Sequence, residues 1–143
     1  MGGYLAILED DEERTAAMRN RMADFFHTYE PVFFDNGPDM IDWLQNYLPS
    51  TVLICLDHDL GPSRIRNGEA FDPGTGRDVV DFLSTQKPHC PIIIHTSNYL
   101  AAQGMEMILN DSGWMNSRVI PVNELQWVDS VWVPEVQKYL GDK

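Results

Sequence analysis

The sequence predicts one open α/β domain built on a parallel sheet. Three observations carry that expectation. Five apolar runs have strand length, helical patterns separate them, and polar side chains gather where three of the runs end. The runs are continuous rather than alternating in hydrophobicity, as in strands covered on both faces.

The expected strands are residues 4–8, 31–34, 52–56, 91–95 and 118–122. Between the first two, Met18, Met22, Phe25 and Phe26 recur at i, i+4, i+7 and i+8 and define one helical face. The next helix has Asn36 or Gly37 as its cap and Pro38 near its first position, with Ile41, Leu44 and Leu48 facing inward. A third follows Gly76 with Val79, Val80 and Leu83, and a fourth runs from about Leu100 to Leu109, stopping in the stretch from Asn110 to Gly113. The last begins near Pro134 and carries Val136 and Leu140. One irregular stretch stands out: GPSRIRNGEAFDPGTG, from Gly61 to Gly76, is long for a connection inside a compact domain, and such loops are usually functional or mobile.

With 143 residues the chain suits a single domain, residues 1–143, with an inserted loop at about 61–76. An apolar fraction of 43% argues for a folded globule. The formal net charge of −12, with the acids crowded into the first part of the chain, leaves no basic footprint, so no duplex DNA binding is expected. A nucleotide substrate stays open, because a bound divalent cation inverts the field of a carboxylate cluster. Cys55 and Cys90 show no pairing or metal-type spacing, so a reduced, cytoplasmic protein is expected. The segment MGGYLAILEDDE lacks a basic region and a long apolar stretch, so neither signal peptide nor membrane association is expected.

Ligands of open α/β sheets bind outside the carboxyl ends of the strands. Glu9, Asp10 and Asp11 lie at the first such end, Asp57, His58 and Asp59 at the third, and His95, Thr96, Ser97 and Asn98 at the fourth. Carboxylates converging on one rim repel each other unless a cation neutralises them, and hard oxygen ligands suit Mg²⁺ or Mn²⁺. Glu9, Asp10 and Asp57 are therefore expected to hold a metal. Acids in a first helical turn also favour the helix dipole, which suffices for Asp11, Glu12 and Glu13. Asp57 and Asp59 share a side if the chain is still extended there, although aspartates in LDHDLG can also form turns with their own backbone. His58 and His95 titrate near neutrality and suit proton transfer in phosphoester chemistry; the alternative for His95, behind an apolar run, is a hydrogen-bonded core histidine. His27 and His89 read as surface residues. Thr96, Ser97 and Asn98 can bind phosphate oxygens or cap the fourth helix. Trp127 and Trp132 read as packing residues, with base stacking as the alternative. No nucleophile elbow, Walker sequence or dinucleotide fingerprint is present.

Over essentially its whole length the sequence resembles the response-regulator receiver superfamily. YLAILEDDEERTAAM is similar to the receiver's first strand and acidic pair, with Glu9 and Asp10 in the pair's places. VLICLDHDLGP is similar to the third strand, which implies Asp57 as phosphoacceptor and Asp59 among the metal ligands through its carbonyl. PIIIHTSN is similar to the fourth strand, with Thr96 at the hydroxyl position. Receivers place a lysine before a proline after the fifth strand; RVIPVNE has Pro121 and no lysine, which sets ordinary phosphoryl switching in question. LDHDLG, GRDVV and HTSN together resemble a narrower branch, the cyclic-phosphate-processing receiver-like domains.

The resemblance implies a flavodoxin-like α/β fold, a five-stranded parallel sheet of order 2-1-3-4-5. It implies a metal-dependent phosphoesterase acting on cyclic phosphate ends in RNA processing or on nucleotides, with Asp57, His58 and His95 catalytic. The metal, Mg²⁺ or Mn²⁺, would lie on Glu9, Asp10, Asp57 and Asp59, and Thr96, Ser97 and Asn98 would bind phosphate. One histidine would activate water and the other protonate the leaving oxygen, or Asp57 would itself attack. The expected partner is a phosphorylated small molecule or an RNA end. Two rivals are a phosphoaccepting signalling receiver and a pseudo-receiver that only binds another protein.

Overall fold

The computed structural model describes residues 2–122 and 124–141. In chain order these form β1 (Tyr4–Leu8), α1 (Glu12–Phe25), β2 (Glu30–Phe34), α2 (Gly37–Tyr47), β3 (Thr51–Leu56), β4 (Arg64–Arg66), β5 (Glu69–Phe71), α3 (Gly76–Leu83), β6 (Ile92–Ile94), α4 (Tyr99–Asp111), β7 (Asn116–Arg118) and α5 (Val133–Leu140). A π-helical turn, Val128–Trp132, leads into α5. The main sheet is parallel with order β2-β1-β3-β6-β7, while β4 and β5 form a separate antiparallel hairpin. With the hairpin set aside, this is the expected order 2-1-3-4-5 of the flavodoxin-like fold.

Period-two alternation sends successive strand residues to opposite faces. Ala6, Leu8, Ile54, Leu56, Ile92 and Ile94 join the core beneath α2, α3 and α4. Leu5, Ile7, Leu53, Cys55 and Ile93 join the opposite core, with Met18, Met22 and Phe26 from α1, Val136 of α5, and Trp127 and Trp132. Both tryptophans are fully buried, so they pack the core and neither offers a face to a base. Phe25, expected on the inward face of α1, is 40% exposed, because the helix ends there and Phe26 turns in instead. On α2 the Asn36 side chain accepts the Asp39 N–H at 2.8 Å, and Met40 and Leu44 are buried.

The fifth main-sheet strand lies earlier than expected, at Asn116–Arg118 rather than 118–122. Val119 makes one more ladder bond, its N–H to the Ile94 carbonyl at 2.9 Å, and Pro121 then has no N–H to offer. Ile120 and Val122 are 52% and 48% exposed. An edge strand buries little, so Asn-Ser-Arg serves where an apolar run was expected.

The long connection after β3 is ordered around the β4–β5 hairpin, whose turn residues Asn67 and Gly68 have φ of 54° and 80°. Arg64 pairs with Asp35 at 3.2 Å and Arg66 with Asp39 at 3.2 Å, stapling the hairpin to the start of α2. No helix of the described residues is long and apolar enough to cross a membrane.

Candidate metal and phosphate site

The site is a continuation of the sheet register by one residue. Leu8 pairs with Leu56, and Leu56 with Ile94. The next residue on each strand is Glu9, Asp57 or His95. Each backbone N–H is held by a neighbouring strand: Glu9 by the Phe34 carbonyl at 2.9 Å, Asp57 by that of Leu8 at 3.1 Å, and His95 by that of Leu56 at 2.8 Å. Their side chains therefore share the face occupied by Ile7, Cys55 and Ile93. One ligand atom from each lies within 4.8 Å of the others, and all three residues are buried.

The interior hydrogen bonds fix these groups. His95 Nε2 lies 3.2 Å from Glu9 Oε1, and the other Glu9 oxygen accepts the Asp11 N–H at 3.0 Å. Among the described residues His95 Nδ1 has no partner. A proton on Nδ1 would be a buried donor without an acceptor, so the geometry favours Nε2–H donating to Glu9. Asp57 Oδ1 accepts the His58 N–H at 2.7 Å. The Trp127 indole stacks on the His95 ring at 5.8 Å between centroids.

The electrostatics follow from burial. Desolvation pushes the Asp57 carboxyl up to about 6, with the Glu9 charge adding to the rise and His95 opposing it. Desolvation also acts to raise Glu9, yet the His95 hydrogen bond and charge, the Asp11 N–H and Arg14 together outweigh it and hold Glu9 below its usual range. Asp10 is raised, first by burial and then by Glu9. It lies toward the β3–β4 connection, where a Cβ on Gly61 would sit 3.4 Å from Asp10 Oδ2. Two adjoining buried carboxylates and a third at the rim form an oxygen donor set that a divalent cation would neutralise, with the His95 imidazole holding Glu9 in place. The residues therefore fit such an ion.

Of the other residues expected at the site, His58 and Asp59 form a separate pair in the turn after β3. His58 Nδ1 is 2.9 Å from Asp59 Oδ1, and the Asp59 side chain is 65% exposed. The turn after β3 is set by Gly76, whose N–H meets the His58 carbonyl at 3.0 Å, and by the bridge between Asp59 and Thr75. A Cβ on Gly76 would collide with the Asp57 carbonyl oxygen, so this approach requires glycine. Asn98 caps α4, accepting the Ala101 N–H at 3.1 Å, and its amide reaches Asp59 Oδ2 at 3.4 Å. Thr96 is buried with its hydroxyl accepting the Asn98 N–H at 3.1 Å, while Ser97 is exposed. His27 and His89 are exposed surface residues, as expected.

Arg14 is the site residue that the sequence reading passed over. Its guanidinium lies 3.8 Å from Glu9 Oε1 and 3.9 Å from Asp57 Oδ2, over the Trp127 ring at 5.5 Å from the centroid. It stands four residues before Met18 and eight before Met22. A cation prolonging the buried stripe of α1 toward the strand ends was the available signal.

The topology and this rim of carboxylates define a receiver fold of the response-regulator type. Solved structures agree. The phosphorylated cyanobacterial phytochrome response regulator RcpA is similar with a TM-score of 0.72 at 13% identity, over 99% of this chain and 96% of that one. The non-phosphorylated HemR receiver domain from Leptospira biflexa gives 0.63 at 14%, over 99% and 96%. The Mn²⁺-bound response regulator Rcp1 gives 0.60 at 14%, over 91% and 94%. Residues 5–111 match the family described as Cyclic-phosphate processing Receiver domain, and the chain belongs to that family. Comparison with curated protein sequences gives no match.

Proposed function

We propose that this domain is a metal-dependent phosphoesterase that opens cyclic phosphate ends of RNA or of nucleotides. The observation that carries the reading is the convergence of Glu9, Asp57 and His95, with ligand atoms within 4.8 Å of one another, at the carboxyl rim of the sheet. Family membership directs it to cyclic phosphates. Glu9 and Asp57, with Asp10 at the rim, would hold Mg²⁺ or Mn²⁺; Asp59 lies nearby, and the similar fold of Mn²⁺-bound Rcp1 supports a divalent ion. A bound cation supplies Lewis acidity toward a phosphoryl oxygen.

The protein's own groups divide the remaining work. His95, fully buried, keeps Glu9 oriented through its Nε2 contact. The His58 side chain is 19% exposed and its Nδ1 is fixed by Asp59, which would leave Nε2 to take a proton from the attacking water. The new P–O bond forms as the bond to the ribose oxygen breaks, and that oxygen, leaving toward solvent, takes a proton from water. The exposed Ser97 and the rim groups Thr96 and Asn98 would face the phosphate. Beside Glu9 and Asp10 a cavity of about 530 Å³, lined also by Thr15, Arg19, Phe33 and Phe34, has room for the nucleoside. The net charge of −12 disfavours duplex DNA as a partner, and two free cysteines suit a reducing cytoplasm.

The test is hydrolysis of an oligoribonucleotide ending in a 2′,3′-cyclic phosphate with Mg²⁺ or Mn²⁺, comparing wild type, Asp57→Asn and His58→Ala. Metal-dependent turnover should fall by roughly 100-fold or more in each variant, the range for loss of a proton-transfer group. Absence of turnover together with a stable beryllofluoride adduct at Asp57 would instead support a phosphoaccepting receiver. Absence of both would leave a binding module.

A further inference from the structure

We propose that Arg14 is the residue that grips the phosphoryl oxygens, supplying from α1 the positive charge that receivers place on a lysine after their fifth strand. This deepens the phosphoester reading above and rests on it. At the end of β7 the described residues are Arg118, Val119, Ile120, Pro121 and Val122, and Arg118 is turned away, near Glu106 at 3.9 Å and over the Tyr99 ring at 5.0 Å. No cation from that strand reaches Asp57.

Arg14 does reach it, and in an unusual way. At 3.8 and 3.9 Å from the two carboxylates its guanidinium is close enough to be attracted and too far to hydrogen-bond. Among the described residues none accepts a hydrogen bond from its side chain. An arginine that clamps a carboxylate is frequently bidentate on it, and Arg14 is not. This one instead lies over the Trp127 ring, itself fully buried and stacked on His95. This cation–π contact holds the guanidinium beside the two carboxylates while its N–H donors stay uncommitted, and the side chain is 27% exposed, so an incoming anion can meet it. An oxyanion seated between Arg14 and a cation held by Glu9 and Asp57 would receive charge from both sides.

The two roles, phosphate ligand and structural clamp, predict opposite effects on metal binding. Arg14 is a like charge beside any cation on Glu9 and Asp57. If it grips phosphate, Arg14→Ala should weaken binding of inorganic phosphate by roughly 10- to 100-fold, the range for a hydrogen bond to a charged group. The same variant should bind Mn²⁺ as tightly as wild type or several-fold more tightly, because a repulsive neighbour has gone. Arg14→Lys, which keeps the charge without the fork, should restore part of the phosphate affinity and none of the gain toward Mn²⁺.

The measurement is phosphate binding followed by ³¹P line broadening and calorimetry, with and without Mn²⁺, beside a Mn²⁺ titration without phosphate. Phosphate affinity unchanged in Arg14→Ala would overturn the proposal. So would a parallel loss of Mn²⁺ affinity, the mark of a clamp that only arranges the carboxylates, or a wild type that binds no phosphate in either condition. Turnover is not the readout. A protein that binds phosphate through Arg14 but hydrolyses no cyclic phosphate would sink the phosphoesterase reading and leave this one standing.

Discussion

Replacing Asp57 with asparagine should make the metal-free protein more stable above pH 6 and change it little near pH 4. Burial first, and then the Glu9 charge, lift the Asp57 carboxyl from 3.8 to about 6. A folded-state pKa above the unfolded one means that the native protein holds this proton more tightly than the unfolded chain does. The resulting stabilisation is fully present below the unfolded value and is lost as pH rises through the folded one. Above pH 6 the ionised carboxylate therefore counts against the fold. At about 1.4 kcal/mol per pH unit, the shift corresponds to a penalty of order 3 kcal/mol. The Asp57 side chain is 8% exposed, so solvent screens little of it. Asparagine carries no charge and keeps an oxygen for the His58 N–H, now accepted at 2.7 Å. With a urea dependence of about 2 kcal/mol per molar, the unfolding midpoint at pH 7.5 in chelator should rise by roughly 1–1.5 M. Tryptophan fluorescence in urea at pH 7.5 and pH 4 measures it. A variant no more stable than wild type at pH 7.5, or equally stabilised at both pH values, would refute the electrostatic argument.

Divalent metal should act in the same direction on the wild type. Mn²⁺ at a hundredfold excess over its dissociation constant should add about 2.7 kcal/mol to unfolding, and Glu9→Gln and Asp57→Asn should lose most of that gain; a metal-independent midpoint would count against the site. Gly76→Ala forces a Cβ onto the Asp57 carbonyl oxygen, so a stability loss of about 2–3 kcal/mol is expected, and an unchanged urea midpoint would contradict the close approach. Asp59→Asn should slow turnover by roughly tenfold while leaving KM and the urea midpoint nearly unchanged, because Asp59 is exposed and acts through the His58 ring. Steady-state kinetics beside the unfolding curve would separate that from a folding defect.

Much of the site was already written in the strand pattern. Apolar runs that end in Glu9, Asp57 and His95 carry those residues one step past a shared register, and period-two alternation then puts all three on one face. His95 was also readable as a core histidine, and it is one: fully buried, yet bonded to Glu9 rather than to the apolar core around it. Arg14 escaped notice because a charged residue on a helix ordinarily reads as a solvated one. Its place on the stripe of Met18 and Met22 was the overlooked signal. Asn67-Gly68 in the middle of the long connection was likewise a hairpin signal, passed over because Gly and Pro on either side suggested an irregular loop.

The sequence by itself determined the fold class, the strand order through the receiver resemblance, and the acidic rim. The fold class and the rim follow from hydrophobic periodicity and from residues adjacent in the chain, which local sterics and burial dictate, whereas the strand order rests on the resemblance. Tertiary structure alone decided that His58 pairs with Asp59 while His95 holds Glu9 inside, and that Arg14 lies over Trp127. Those contacts join residues up to 113 positions apart in the chain. They depend on the turn that Gly76 permits and on which helix covers which face of the sheet, and no local propensity encodes either.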